Sequence, residues 1–305
     1  MKQPAGRAAP VLAEGPDRPG VQKGAGASAA LGWSLLNTGV AKLGTLGIGI
    51  VLARVLGPDS YGTFAVAMVA LLAVLTFNEL GVSLAIVRWP GDPARIAPTV
   101  TTISVLGSVL FCAGALAAAP WFAATMGDPG ATDVVRVMVC CVLVSGVVAT
   151  PAALMQRGFD QKTKMVIDQV NVWVGAAVSI VLALAGMGAM SLAIGRVAGT
   201  LVSGIMFVIK SPLRLRFGLD VKVLKPLLRF GLPLAGASVI VFCVGYLDQL
   251  VTGNLLGATM LGLYVLAFNL ASWPVTVFSQ PLRSVAPAVL ARLQHDPASM
   301  QATMT

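Results

Sequence analysis

Charge is what this sequence has least of. Only 11% of its 305 residues are Asp, Glu, Lys or Arg, where an ordinary soluble chain carries about a quarter. A soluble fold of this size has too much water-facing area to cover with so few charges. With 57% of the residues hydrophobic, and about 20 apolar residues needed per helical crossing of a bilayer, the chain is an integral membrane protein. Histidine is nearly absent: His295 stands alone, which excludes a histidine-based catalytic or zinc cluster. The four cysteines, Cys112, Cys140, Cys141 and Cys243, lie inside apolar runs without metal-ligand spacing and read as small core hydrophobes. Aromatic residues make up 6% and do not interleave with the basic clusters, so the net charge of +9 does not point to nucleic acid. The glycine-rich stretch "LGTLGIGI" at 43–50 lacks a phosphate-loop lysine, which argues against direct ATP use and leaves no cofactor expected.

What is present is a series of long apolar runs. Eight crossings are drawn at 30–55, 62–87, 97–119, 132–155, 165–187, 190–209, 228–252 and 259–282, separated by short turns such as "GPDS", "GDPGATD" and "GMG". Residues 1–28 are rich in Pro, Gly and Ala without the order of a signal peptide, and are expected to form a disordered cytoplasmic leader. Placing the N-terminus inside puts seventeen of the 21 Lys and Arg residues on one side of the membrane. The positive-inside rule requires such a bias. A multi-pass protein with its N-terminus in the cytoplasm is expected, with an even number of spans. The basic segment 210–228, "KSPLRLRFGLDVKVLKPLL", divides an N-terminal lobe at 29–209 from a second part at 229–305. Its alternating basic and apolar residues suit either an amphipathic segment on the anionic inner leaflet or a plain topogenic connector.

The second part restarts the first. At a shift of 200, Val51, Leu56, Gly57, Gly62 and Ala67 recur as Val251, Leu256, Gly257, Gly262 and Ala267. Both copies, "LGPDSYG" at 56–62 and "LGATMLG" at 256–262, are expected to be tight loops joining antiparallel helices, where glycine tolerates backbone angles other residues avoid. The matched topological positions suggest a same-orientation duplication of six spans, as relates the halves of some transporters.

The stretches "LARVLGPDSYGTFAVAMVALLAVLTFNELGVSLAIVR" and "RFGLPLAGASVIVFCVGYLDQLVTGNLLGATMLGLYVLAFNLASWP" resemble the opening helices of the two lobes of the polysaccharide transporter family. These are Wzx-type flippases of lipid-linked oligosaccharides, in the superfamily that also holds the MATE multidrug exporters. "RSVAPAVLARLQHD" is similar to the cytoplasmic segment that follows span eight. The resemblance implies an all-α polytopic protein of MATE-like fold, here a complete first six-helix lobe plus the first two helices of the second. It implies flipping of an undecaprenyl-diphosphate-linked glycan across the bacterial cytoplasmic (inner) membrane by alternating access, for O-antigen, capsule or exopolysaccharide. Membrane lipid and the polysaccharide assembly machinery are the other partners it implies, with protons or sodium as coupling ions. Because family members have twelve or more spans, a chain ending after eight is expected to be a fragment or truncated product, or to have its remaining helices supplied elsewhere.

Moving a diphosphate through a low-dielectric slab calls for cations inside the spans. Such residues cost about 2.5–3.5 kcal/mol each on insertion scales and usually face a cavity or a partner. Four basic residues fall outside the inner clusters: Lys42, Arg196, Arg54 and Arg136. Lys42, halfway along span one, leads as a substrate-cavity cation, against a buried structural ion pair. Arg196, Arg54 and Arg136 follow, with snorkelling to the interface as their bland role. Asp248 and Glu79 are the candidates for coupling or charge balance. The alternatives for Asp248 are structural pairing with Arg54 or Arg196, and for Glu79 a helix end. Asn37, Asn171, Gln249 and Asn269 either bind sugar hydroxyls or tie helices together.

Three other functions compete with flipping. A MATE-like cation-coupled drug exporter is disfavoured by the basic intramembrane residues, since cationic drugs prefer acidic cavities. A polytopic enzyme needs a sizeable outer loop with acid/base groups, and the outer loops here are short. A non-transporting truncated membrane subunit fits the incomplete second lobe.

Overall fold

The computed structural model describes residues 25–78, 86, 93–158, 161–213 and 215–293, and side chains within 49–272. The chain divides into two units, residues 1–41 with 275–305, and residues 42–274. The described backbone of the first is helical. The second holds both copies of the repeated turn and the helices packed between them. No strand occurs among the described residues.

The repeated turn is tighter than the loop expected from sequence. Helix α1 (Ala25–Asn78) runs through it with one non-helical residue, Gly57, at φ 76° and ψ 168°. Two hundred positions later α7 (Val221–Leu293) breaks at Gly257, φ 83° and ψ 173°. Both angles lie in the left-handed half of backbone space, where a Cβ is strongly disfavoured. One glycine therefore reverses each helix, and the near-identical angles make the duplication structural as well as sequential. Pro58 starts the second arm of α1, where its missing N–H leaves no bond unmade; the second copy places Ala258 there.

Between these hairpins lie α2 (Pro93–Thr125), a 3-10 turn at Pro129–Ala131, α3 (Thr132–Val139), α4 (Cys141–Arg157), α5 (Gln161–Leu184) and α6 (Ala189–Lys210). The expected span 132–155 is thus two helices meeting at Cys140, whose φ of −58° and ψ of −23° keep it nearly helical. Six segments among the described residues are long and apolar enough to cross a bilayer. The last, Val223–Ser272, is 50 residues long and contains the Gly257 break. Counting its two arms, and adding the helical stretch before Arg54, recovers the eight expected crossings.

Packing obeys membrane rules. Large apolar side chains such as Leu110, Trp121, Leu184, Ile209 and Val244 point outward, where lipid takes the place of a core. Helix contacts rely instead on small residues, which let backbones approach. Among the described helices the most extensive contact is that of α5 with α6. There a Cβ on Gly195 would stand 2.6 Å from the Gly175 carbonyl, and one on Gly199 would stand 2.7 Å from Asn171 Oδ1. Between α2 and α4, Thr101 and Thr150 share a buried hydroxyl contact of 2.9 Å. Cys112 and Cys141 are buried as expected, but Cys243 is exposed on α7, so an apolar run did not make it a core residue.

The segment 210–228 is part strap and part helix, its last residues from Val221 on belonging to α7. Described residues between Lys210 and Val221 are non-helical and strap onto the first lobe. The Thr102 hydroxyl donates to the Gly218 carbonyl at 2.9 Å and accepts from the Gly218 amide at 3.1 Å. The Asp220 amide donates to Thr99 Oγ1 at 3.1 Å, and the Asp220 carbonyl accepts the Val223 and Leu224 amides, starting α7.

Candidate functional site

Helix ends alternate between two faces of the bundle. One carries the Gly57 and Gly257 turns; the other carries the strap and the cations Arg95, Arg157, Lys164, Lys210, Arg216, Lys225 and Arg229. At the strap end Arg157 donates through Nη1 to the Ile86 carbonyl at 2.6 Å. Leu227 at the foot of α7 is buried against Ile86, Ile96, Val100, Ala153 and Leu154.

At the turn end the two copies of the repeat touch each other. Gly62 and Gly262 are both buried. A Cβ on Gly262 would lie 2.7 Å from the Gly62 Cα, and one on Gly62 would collide with the Ala258 carbonyl group and come 2.9 Å from the Thr259 Cα. Only hydrogen at both positions permits this approach. Hydrogen bonds ring the contact: Thr259 Oγ1 donates to Asp59 Oδ1 at 2.8 Å, Asn254 Nδ2 donates to the Thr125 carbonyl at 2.9 Å, and Thr63 Oγ1 donates to Asp128 Oδ2 at 2.6 Å. Beneath them Ala258 and Leu261 enter the apolar cluster of Ala65–Ala67, Met126 and Val134–Val135. The first hairpin of the second lobe is thereby sealed to the first lobe at this end.

Among the candidate residues, Arg196 lines a cavity of about 150 Å³ walled by the second arm of α1 and by α4, α5 and α6; its Nε is buried without a hydrogen-bond partner. Arg54 is exposed next to the Gly57 break. Arg136 is exposed at the turn end and pairs with Asp133 at 3.4 Å, one turn away on its own helix. Asp248 is exposed on α7, and its carboxylate accepts a 2.6 Å hydrogen bond from the Tyr264 hydroxyl across the Gly257 break. Its partner is thus a phenol on the second arm, in place of the Arg54 or Arg196 pairing weighed as the alternative to a coupling role. The side chain of Lys42, Asn37, and the whole of Glu79 lie outside the described residues. Asn171 lines the Arg196 cavity, Gln249 is buried and Asn269 is exposed.

Sequence reasoning missed the turn-end ring and the company of Arg196. Asp59 and Thr259 occupy equivalent positions of the repeat, and an acid facing a hydroxyl there was a readable sign. Arg196, Thr200 and Ser203 have i, i+4, i+7 spacing, one face of a helix.

The model of a polysaccharide biosynthesis protein family matches residues 51–305. The chain is 26% identical over 272 residues to the succinoglycan biosynthesis transport protein ExoT of Rhizobium meliloti (strain 1021), covering 87% of this chain and 54% of that protein. It is 23% identical over 270 residues to the lipopolysaccharide biosynthesis protein WzxC of Escherichia coli (strain K12), with the same coverage of 87% and 54%. The chain spans about half the length of these curated relatives. Its fold is similar to that of a multidrug resistance MATE family transporter of the MOP superfamily, solved in an inward-facing conformation. The TM-score is 0.56 at 19% identity, over 83% of this chain and 62% of that one. A family match over most of the chain, on a MATE-like fold whose two lobes begin with the same glycine-broken hairpin, establishes the kinship: this chain belongs to the polysaccharide biosynthesis protein family.

Proposed function

We propose that the chain serves to flip a lipid-linked oligosaccharide across the bacterial cytoplasmic membrane by alternating access, as part of polysaccharide assembly. The observation that carries this reading is the sealed turn end. Two equivalent hairpins, one per lobe, meet through Gly62 and Gly262 and a ring of exposed hydrogen bonds. A contact built on two facing glycines and ringed by hydrogen bonds is one that can part, exchanging the accessible face. In this reading the turn end faces outward and the basic strap end faces the cytoplasm, in keeping with the positive-inside rule. Lys42 and Arg54 supply positive charge to the diphosphate head. A proton or sodium ion is coupled at Asp248, whose hydrogen bond with Tyr264 links the two arms of α7.

The test is delivery of glycan. In cells that lack their own flippase, expression of the protein restores surface polysaccharide and clears the accumulated lipid-linked precursor. Lys42→Ala lowers that export at unchanged membrane abundance. Cells that gain only resistance to cationic drugs place the protein with the drug exporters and overturn the reading.

A further inference from the structure

The cavity beside Arg196 poses a charge problem of its own. A guanidinium is a fixed positive charge, and Arg196 carries it into the first lobe. Its Nε is buried and unpartnered, and among the described residues no carboxylate forms an ion pair with it. A charge held inside a lipid-embedded lobe needs compensation, and the cavity of about 150 Å³ at its side is large enough to admit an ion from solution.

The lining says which ion. Three hydroxyls face the space, and each already donates to a carbonyl of its own helix: Ser145 to Cys141 at 3.1 Å, Thr200 to Arg196 at 2.8 Å, and Ser203 to Thr200 at 3.0 Å. The guanidinium and the Asn171 amide remain as donors. One fixed positive charge and so few donors match a single small monovalent anion. A phosphate or diphosphate brings several charged oxygens, each needing a donor or cation, and the cavity does not supply them. Its described walls all come from the first lobe.

We propose that the pocket walled by α1, α4, α5 and α6 binds one small monovalent inorganic anion, chloride in size and charge, as the counterion of Arg196. The bound anion neutralises the interior of the first lobe and ties its stability to the halide concentration. The inference stands whether or not the protein flips a glycan.

Thermal unfolding of the protein in nanodiscs tests it, with sodium chloride exchanged for sodium gluconate at constant ionic strength. Chloride NMR line width on the same samples serves as a direct readout. A ligand held only by the folded state raises the midpoint with the logarithm of its concentration; a rise of several degrees is expected. An excess line width that bromide displaces should accompany it. Arg196→Gln loses both responses, yet in gluconate unfolds no lower than the parent, because an uncompensated charge has been removed. Arg196→Lys keeps a weakened response. A parent midpoint and line width indifferent to chloride overturn the proposal. So does an Arg196→Gln variant destabilised equally in both salts, the mark of an ion pair within the chain; Glu79→Gln then shows whether Glu79 is the partner. If Arg196→Gln does not fold, the line width of the parent and of Arg196→Lys decides.

Discussion

Replacing Gly62 with alanine adds one methyl group at the point where the two lobes meet. That methyl would lie 2.7 Å from the Ala258 carbonyl carbon and 2.9 Å from the Thr259 Cα, closer than carbon atoms approach without something moving. The obstacle is backbone, so no rotamer change relieves it. Overpacking of this kind costs about 1–3 kcal/mol. Gly62 also lies within a helical arm, where alanine gains roughly 0.5–1 kcal/mol over glycine. That gain is present whether the turn end is sealed or parted, and so cancels from the equilibrium between them. The net effect falls on the sealed state alone, lowering its population relative to the parted state by about fivefold to 150-fold. Ala258, 8% exposed in the sealed state, reports it once replaced by cysteine in a background whose four native cysteines are serine. The rate of modification by a membrane-impermeant maleimide should rise about fivefold or more when Gly62→Ala is added. An unchanged rate, in a variant of normal abundance, refutes the claim that the glycine contact sets the seal.

Other consequences come from the same geometry. Gly199→Leu forces a side chain into Asn171 and Gly175 across the α5–α6 contact. It is expected to cost about 3 kcal/mol or more, seen as loss of folded protein on fluorescence-detected size exclusion. Thr102→Val removes both hydrogen bonds to Gly218, worth about 1 kcal/mol each; cleavage by trypsin at the exposed Arg216 should then accelerate about tenfold or more. Arg136→Ala breaks only an exposed pair with Asp133 and should shift the unfolding midpoint by less than about 2 °C, since such pairs contribute under about 1 kcal/mol.

The membrane class, the spans and the duplication were legible because they rest on composition and on one-dimensional patterns. Gly57 and Gly257 stand at the same offset, and a glycine followed by a polar turn announces a reversal wherever it falls. The sharpness of that reversal was not legible. Whether a glycine sits in a loop or is itself the whole break depends on how closely the following arm packs back, and that is a tertiary matter. The same holds for Asp248: its partner Tyr264 is sixteen residues away, and only the angle at Gly257 brings the two together. Cys243 shows a third limit. In an amphipathic soluble helix an apolar residue marks the core face, but on a helix apolar all round the lipid-facing and protein-facing residues look alike. The Arg196 pocket was half legible, since its α6 residues share one helix face, whereas the contributions from α4 and α5 required the fold.

The central claim is that the two equivalent turns seal one end of the protein and must part during transport. Asp59 and Thr259, whose side chains meet at 2.8 Å, offer the most direct test: replace both with cysteine and compare glycan export under oxidising and reducing conditions. The expected result is a disulfide that arrests export while it is intact, full recovery on reduction, and no effect from either cysteine alone. Undiminished export by protein shown to be fully cross-linked would contradict it.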